Sequence, residues 1–486
     1  MFRSFLPALL LFATIPVAGR PVSSLELEDC RISAGAGAPG IAARCGTLVR
    51  PLDPDNPDVG SIALKVAVVA ALSLEPASDP FVPIAGGPGQ STIHFYAGWS
   101  AAFERVRLQR DIVLLDQRGT GESAPLLCDV GQDLVEGKYS AAQTTELTEQ
   151  CLALLPHDPR YFTTSVATRD LEALRLALGY DSLNVYGISY GSRVAQHYAR
   201  RFPDTTRTVI LDGVVPPQLP LGPDIATESQ RAIDSVFTRC AETPACNERF
   251  PELRDDFALL LGALAEKPVT ISLQHPVTAR RELVEFSSDH FAAAIRLLLY
   301  NPGMVALLPL LISDAADGNF APLAAQFHMV AESLTDSLSI GMHNAVLCTE
   351  DAPFIDWSSV DQGAINASYM GPMQLEAIRV ICAVWPRGLL DADLREPLAT
   401  DKPVLLLSGD ADPITPPYFA ALAAVAMQQQ WQVTGEQQGH GLAGVGCMPR
   451  IIAEFVGAAS LAEVSTECLR DAFVMPFFVD YTGPMP

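Results

Sequence analysis

A serine between two glycines, in the run Gly-Ile-Ser-Tyr-Gly at 187–191, is the pattern in this chain with the clearest chemical meaning. The apolar run 183–186 before it predicts a short strand, and 192–201 after it predicts a helix that ends before Pro203. A serine at such a strand–turn–helix corner has a strained backbone and an exposed hydroxyl, and the flanking glycines let other backbone pass close by. The setting therefore predicts that Ser189 is a nucleophile, although the five-residue pattern also occurs in ordinary turns.

A serine hydroxyl reacts only when a base takes its proton, and that base is usually a histidine oriented by a carboxylate. Of the eight histidines, His440 alone lies in a glycine-flanked loop directly after a late predicted strand. The preceding predicted strand ends at Ser408 and enters a loop that contains Asp410 and Asp412. We expect His440 to be the base, and either aspartate could orient it.

Acyl transfer also needs hydrogen-bond donors aimed at the developing oxyanion. One predicted donor is the backbone N–H of Tyr190, at the start of the helix after the serine. The early apolar strand 81–85 runs into Gly-Gly-Pro-Gly at 86–89, and Pro88 has no N–H to donate. We therefore expect Gly86 and Gly87 to supply the second donor, although such a run can also be a simple tight turn.

The elements around these residues predict an α/β fold with a mostly parallel, doubly wound sheet. Short apolar strands alternate with helical patterns, whereas the stretch from about 215 to 385 is mostly helical. The sequence thus predicts a signal peptide at 1–19, a sheet domain in two parts at 20–214 and 386–486, and a helical cap at 215–385. The strands are predicted at 47–50, 62–69, 81–85, 111–115, 183–186, 208–213, 403–408 and 431–433, and helices at 168–178 and 418–430 among others.

The composition limits the class of protein. Hydrophobic residues make up 49% of the 486 residues, which is typical of a globular chain. The formal net charge of −24 argues against a nucleic-acid partner. A positive start, an apolar run and small residues near Gly19 predict a cleaved secretory signal. This signal predicts an exported protein, periplasmic or extracellular. No later segment reaches about 18 unbroken apolar residues, so we expect no membrane partner.

The cysteines agree with export, since disulfides persist in oxidising compartments. Their number is even, and pairing in sequence order would close five local loops, although spacing cannot fix the connectivity. No cysteine or histidine spacing suggests zinc, so we expect disulfides and no metal. The ten are Cys30, Cys45, Cys128, Cys151, Cys240, Cys246, Cys348, Cys382, Cys447 and Cys468.

Taken together, the motifs at 86–89, 116–123 and 187–192 resemble the serine aminopeptidase branch of the α/β hydrolases, which includes prolyl and secreted tripeptidyl aminopeptidases. The late loops at 409–416 and 439–441 are similar to the acid and base loops of that family. This resemblance implies the α/β-hydrolase fold, and it favours Asp412 over Asp410 as the acid. Ala85 stands where prolyl aminopeptidases have a histidine, so the resemblance is closer to the tripeptidyl type.

The resemblance implies an exopeptidase that cleaves near a free N-terminus, through an acyl-enzyme on Ser189 and without a cofactor. A buried ammonium needs a paired carboxylate. Glu350 and Asp351, next to Cys348, are the candidates for that role, and a solvated acidic loop is the alternative. Two other functions stay open, namely an esterase or lipase for small acyl esters and a binding protein that has lost catalysis.

Overall fold

The computed structural model describes residues 25–35, 38–128, 139–274, 278–460, 462, 464–471 and 474–484. The predicted signal peptide at 1–19 lies outside this part of the chain. The strands of the described residues are β1 Glu28–Ile32, β2 Ile41–Pro51, β3 Ser61–Val69, β4 Phe81–Ile84, β5 Ile112–Leu115, β6 Leu183–Ile188, β7 Thr206–Asp212, β8 Val269–Gln274, β9 Arg281–Phe286, β10 Thr400–Gly409, β11 Met427–Gly435, β12 Phe478–Asp480 and β13 Gly483–Pro484.

Nine of these strands form one sheet in the order β1-β2-β3-β5-β4-β6-β7-β10-β11. The strands β1, β2, β3 and β5 pair antiparallel in that order, and every pair from β5 onward is parallel. The predicted opening antiparallel pair is confirmed, with Thr47 opposite Lys65, and so is the mostly parallel sheet. Because parallel strands end at the same edge, the loops after β4, β6, β10 and β11 meet there.

Helices cover both faces of this sheet and fill the long insertion between β7 and β10. Short 3₁₀ turns lie at Pro57–Val59, Pro159–Tyr161, Pro203–Thr205, Ala352–Phe354, Ala424–Ala426 and Glu467–Asp471, and a π-helical turn lies at Leu347–Asp351. The α-helices of the described residues are α1 Thr92–Arg107, α2 Ala141–Leu154, α3 Thr164–Leu178, α4 Tyr190–Arg201, α5 Ile225–Glu242, α6 Pro244–Arg249, α7 Leu253–Glu266, α8 Ser288–Leu298, α9 Pro302–Val305, α10 Leu308–Ala316, α11 Ala321–Ser337, α12 Ile340–Val346, α13 Gln362–Ala367, α14 Met373–Val384, α15 Pro417–Ala423 and α16 Met448–Ala458.

Alternating side chains of each strand point to opposite faces of the sheet and enter two separate apolar clusters. Val185 of β6 belongs to one cluster, together with Leu171 of α3. Its neighbour Tyr186 belongs to the other, together with Phe103 of α1 and Phe455 of α16. The sheet is therefore sandwiched between two helical layers, and burial on both faces explains why its strands read as continuous apolar runs.

The insertion is largely helical, as predicted, and has an apolar cluster of its own. The rings of Phe257 in α7 and Phe291 in α8 lie 5.2 Å apart in this cluster. The hairpin of β8 and β9 was not predicted, although Val269, Ile271 and Leu273 alternate with polar residues along β8. The boundaries of the cap at 215 and 385 stay a prediction.

One predicted helix is wrong over half its length. The sequence predicts a helix at 418–430, but α15 ends at Ala423 and β11 begins at Met427. Helix-forming residues such as Gln429 and Gln430 are drawn into the strand by parallel pairing with Pro403 and Val404 of β10. Tertiary pairing thus overrides local helix propensity.

The cysteines of the described chain are joined in sequence order, which confirms the expected pairing. In the same part of the chain, no helix combines the length and the apolar character that a bilayer span requires. The bonds are Cys30–Cys45, Cys128–Cys151, Cys240–Cys246, Cys348–Cys382 and Cys447–Cys468.

Candidate active site

Ser189 lies at the corner between β6 and α4, where its backbone has φ 56° and ψ −128°. This is a conformation that side-chain-bearing residues rarely adopt, and it is the strain expected of an exposed nucleophile. The neighbouring glycines are required by close backbone approach. A Cβ on Gly187 would lie 2.1 Å from the carbonyl oxygen of Gly191, and a Cβ on Gly191 would lie 2.3 Å from that of Ile84.

His440 and Asp412 come together at the same edge of the sheet. The Nδ1 of His440 lies 2.8 Å from Oδ2 of Asp412, and Asp412 is fully buried. Asp410 is directed elsewhere, since its Oδ1 accepts a hydrogen bond from the backbone N–H of Gln437 at 2.6 Å. The structure therefore pairs the histidine with the aspartate that the family resemblance favoured. Among the described residues, no hydrogen bond links Ser189 Oγ to His440.

Asp412 is held in place by donors of its own loop. Its Oδ1 accepts hydrogen bonds from the backbone N–H groups of Ile414 and Thr415 at 2.8 and 3.0 Å. The hydroxyl of Thr415 donates to Oδ2 at 2.6 Å and also lies 3.1 Å from Nδ1 of His440. Sequence reasoning gave Thr415 no role, although its place three residues after the acid was the available signal.

Opposing effects set the pKa values of this pair. Burial alone would lower the pKa of His440, but the charge and hydrogen bond of Asp412, together with the charge of Asp212, outweigh it and raise that pKa above the ordinary 6.5. Burial alone would raise the pKa of Asp412, but the charge of His440 and its hydrogen bond keep that pKa below the ordinary 3.8. The imidazole can therefore accept a proton readily while the carboxylate stays ionised.

The glycine turn after β4 lies directly beside the serine. A Cβ on Gly86 would lie 2.9 Å from the Cβ of Ser189, so only glycine permits this approach. Gly87 follows with φ 108°, and its peptide bond to Pro88 is cis. Tyr190 is the first residue of α4. The structure thus places Gly86 against Ser189, with Gly87 next to Gly86 and Tyr190 next to Ser189 in sequence. Backbone N–H groups of this turn and of the helix start could stabilise an oxyanion.

Residues of the insertion contact both the histidine and the glycine turn. The backbone carbonyl of Tyr300 accepts from the N–H of His440 at 2.9 Å, and the Tyr300 ring packs edge-on against the imidazole at 5.2 Å. The carbonyl of Gly89 accepts from the N–H of Ser339 at 2.9 Å. Nδ1 of His343 lies 3.1 Å from the carbonyl oxygen of Pro88. These residues lie far from the motifs in sequence, so the pattern of the chain gave no signal for them.

Glu350 and Asp351 are placed differently from the prediction. Both are completely buried. The carboxylate of Glu350 accepts from the backbone N–H and the hydroxyl of Thr164 at 2.7 and 2.8 Å. Asp351 accepts from a guanidinium nitrogen of Arg193 at 2.8 Å. Neither lies in a solvated acidic loop. Glu350 is already bonded to Thr164, whereas Oδ2 of Asp351 has no hydrogen-bond partner among the described residues, so the binding of an ammonium by these carboxylates stays a prediction.

Comparison with known proteins supports an enzyme of the hydrolase class. A family model described as the alpha/beta hydrolase fold matches residues 79–239, and one described as TAP-like protein matches residues 367–468. The chain is 27% identical to serine protease Hip1 of Mycobacterium tuberculosis over 439 residues, which cover 82% of each chain. It is 26% identical to the tripeptidyl aminopeptidase of Streptomyces lividans over 450 residues, 83% of this chain and 78% of that one.

A solved structure, that of proline iminopeptidase from Mycobacterium smegmatis, aligns with 86% of this chain and 99% of its own at a TM-score of 0.43 and 14% identity. The two family models together match more than half of the chain, and the two curated relatives match most of it. The chain has the α/β-hydrolase fold, is similar over most of its length to serine protease Hip1 and to a tripeptidyl aminopeptidase, and is a serine hydrolase.

Proposed function

We propose that this protein is an exported serine exopeptidase that removes a short N-terminal piece from peptides through a triad of Ser189, His440 and Asp412. One observation carries the proposal: a strained serine at the elbow lies at the same sheet edge as a histidine whose Nδ1 is 2.8 Å from a buried carboxylate. The choice of peptides as substrates rests on the relatives named serine protease and tripeptidyl aminopeptidase.

The reaction begins when Ser189 Oγ attacks the scissile carbonyl carbon while Nε2 of His440 takes the hydroxyl proton. Asp412 holds the Nδ1–H and stabilises the imidazolium that forms. The oxyanion accepts hydrogen bonds from the N–H of Tyr190 and from the glycine turn at 86–87. When the tetrahedral intermediate collapses, the C–N bond breaks and His440 gives its proton to the leaving amine. Water, activated by the same histidine, then hydrolyses the acyl-enzyme and releases the N-terminal piece as a carboxylic acid.

Export is supported by the five disulfides, which form and persist in oxidising compartments. The predicted signal peptide at 1–19 would direct the chain there. A periplasmic or extracellular location agrees with an enzyme that acts on peptides outside the cytoplasm.

The role of Ser189 is tested with a fluorophosphonate probe. We expect the wild-type protein to be labelled and Ser189→Ala to be unlabelled, with turnover reduced about 10⁶-fold, as for loss of the nucleophile in serine proteases. Ser408→Ala is the control, since Ser408 is a buried serine at the end of β10 whose hydroxyl has no hydrogen-bond partner among the described residues. Labelling of Ser189→Ala at the wild-type rate would contradict the proposal.

Substrate class is tested by comparing three matched compounds: a tripeptide amide with a free N-terminus, the same peptide acetylated, and a small acyl ester. An exopeptidase should cleave the free peptide with a kcat/KM at least about 100-fold above that for the acetylated one. Acetylation removes the charge of the amino terminus, so the group that binds this terminus would be left buried and unpaired, at a cost of several kcal/mol. A preference for the ester with no discrimination between the two peptides would instead favour the esterase.

A further inference from the structure

Asp212, the last residue of β7, is a buried carboxylate that the triad does not use. We infer that Asp212 is a positioning residue, which holds the loop of His440 and the elbow of Ser189 in register with each other. The inference rests on the proposed function, because it assumes that these two residues react together.

The carboxylate of Asp212 binds the loop directly after the histidine. The backbone N–H of Leu442 donates to Oδ1 at 2.8 Å and to Oδ2 at 3.0 Å, and that of Ala443 donates to Oδ2 at 2.9 Å. The hydroxyl of Tyr186 donates to Oδ2 at 2.8 Å. A buried carboxylate is costly unless donors satisfy it, so these contacts fix the loop after His440 with charge-assisted hydrogen bonds.

The backbone of the same residue binds the nucleophile. The carbonyl oxygen of Asp212 accepts from the N–H of Ser189 at 2.8 Å. One residue therefore bonds the elbow through its main chain and the histidine loop through its side chain. Displacement of Asp212 would change the relative position of Ser189 and His440, which the proton transfer between them requires to be accurate.

Gly213, the residue after Asp212, lies against the imidazole of His440. Gly213 has φ 59°, and a Cβ there would lie 2.8 Å from Cε1 of His440. Its N–H donates to the carbonyl of Leu407 at 2.9 Å. Leu407 lies in β10, the strand that leads to Asp412. The segment 212–213 thus contacts Ser189, His440 and the strand that precedes Asp412.

The charge of Asp212 also affects the pKa of His440. The charged groups that act on His440 are Asp412 and Asp212, which raise its pKa, and Arg296 of α8, which lowers it. Burial raises the pKa of Asp212 itself, while its hydrogen bonds from Leu442, Tyr186 and Ala443 oppose that rise. Loss of the Asp212 carboxylate should therefore lower the pKa of the histidine as well as loosen its loop.

The test is the kinetics of Asp212→Asn, which keeps the shape and removes the charge. We expect kcat to fall about 100-fold with KM nearly unchanged, which is the loss associated with a displacement of about 1 Å in an active site. The acid limb of kcat/KM should move to lower pH. Asp116→Asn is the matched control, because Asp116 is a buried carboxylate bonded by Ser91 and by the N–H groups of Ile93 and Glu122. The control should lose stability without moving the acid limb.

Tyr186→Phe provides a second variant if Asp212→Asn does not fold, because it removes one donor to Asp212 and leaves the carboxylate in place. It should lower kcat severalfold at unchanged KM. The inference is overturned if the folded variant keeps kcat within about twofold of wild type and an unmoved acid limb, in a protein whose Ser189 reacts with the fluorophosphonate. Failure of the wild-type protein to react would instead overturn the proposed function, and this inference with it.

Discussion

At the scale of single residues, the pair of His440 and Asp412 sets how activity should depend on pH. In the proposed mechanism only neutral His440 can act as a base. Burial lowers its pKa, but Asp412, through its charge and hydrogen bond, and the charge of Asp212 together raise that pKa above 6.5. We therefore expect kcat/KM to fall as the pH drops through a value above 6.5 and to be full in neutral to mildly alkaline solution. The measurement is a pH profile of kcat/KM, and an acid limb centred well below 6.5 would contradict the assignment.

Asp412→Asn should lower kcat about 10⁴-fold, because the amide favours the wrong tautomer of the histidine. The matched control is Asp410→Asn in the same loop, where the carboxylate binds the N–H of Gln437 and not the histidine. We expect the control to keep kcat within a fewfold of wild type. If both substitutions had the same effect, Asp412 would have no special role.

At the scale of elements, catalysis depends on how closely α4 and β6 pack against β4. Gly191→Ala would place a Cβ 2.3 Å from the carbonyl oxygen of Ile84 and 2.6 Å from that of Ala85. These are backbone atoms that cannot move cheaply, so α4 must shift and carry Ser189 with it. We expect activity to fall by about 100-fold or more, and the protein to be destabilised by about 1–3 kcal/mol.

Gly262→Ala in α7 is the contrasting substitution, since a Cβ there would meet no atom within 4 Å. It should leave activity unchanged and stabilise the protein by up to about 1 kcal/mol through better helix propensity. Thermal unfolding and kcat of the two variants make the comparison. Full activity in Gly191→Ala would show that the elbow tolerates a larger residue at position 191 than the structure indicates.

At the scale of the whole molecule, a buried charge cluster joins the insertion to the layer of helices on the sheet. Asp351 pairs with Arg193 of α4, and both side chains are completely buried. Glu350 accepts hydrogen bonds from Thr164, the first residue of α3. Burial raises the pKa of Glu350 to about 7, although the charge of Arg193 opposes this rise. The cluster therefore links three segments that are distant in sequence.

This raised pKa makes Glu350 a source of pH-dependent stability. Between the ordinary pKa of 4.5 and about 7, the unfolded chain releases a proton that the native protein keeps. Its contribution to stability is therefore full below 4.5 and is lost as the pH rises to about 7. Glu350→Gln should remove this dependence. The Tm of the variant should therefore rise relative to that of the wild type as the pH is raised from about 5 to about 8. An unchanged KM of this variant for peptides with a free N-terminus would contradict the predicted binding role of Glu350.

Asp351→Asn is the matched neighbour, and it should have the opposite effect. It leaves the guanidinium of Arg193 buried without its carboxylate, which typically costs about 3–5 kcal/mol. Thermal unfolding of both variants across this pH range makes the measurement. Equal destabilisation by the two substitutions would show that Glu350 is ionised in the native protein.

Much of the site could be predicted from the sequence, because its signals are local. The glycines around Ser189, the glycine turn at 86–87 and the Gly-His-Gly loop are short patterns, each explained by close backbone approach or by a strained corner. The alternation of apolar strands and helices indicated the sheet in the same way, since burial on two faces leaves a continuous apolar run. The even number of cysteines indicated disulfides for a similarly simple reason.

Other features were decided by tertiary structure, because contacts between distant segments leave no local pattern. Parallel pairing with β10 turned 427–430 from a predicted helix into strand. Packing of the insertion on the sheet buried Glu350, where a loop next to a disulfide had suggested an open carboxylate. The sequence by itself determined which residues are the candidates for catalysis and in what order they follow one another. Only the tertiary structure decided that Asp412 rather than Asp410 binds His440, and that Asp212 joins the serine to the histidine loop, since both depend on where three loops meet in space.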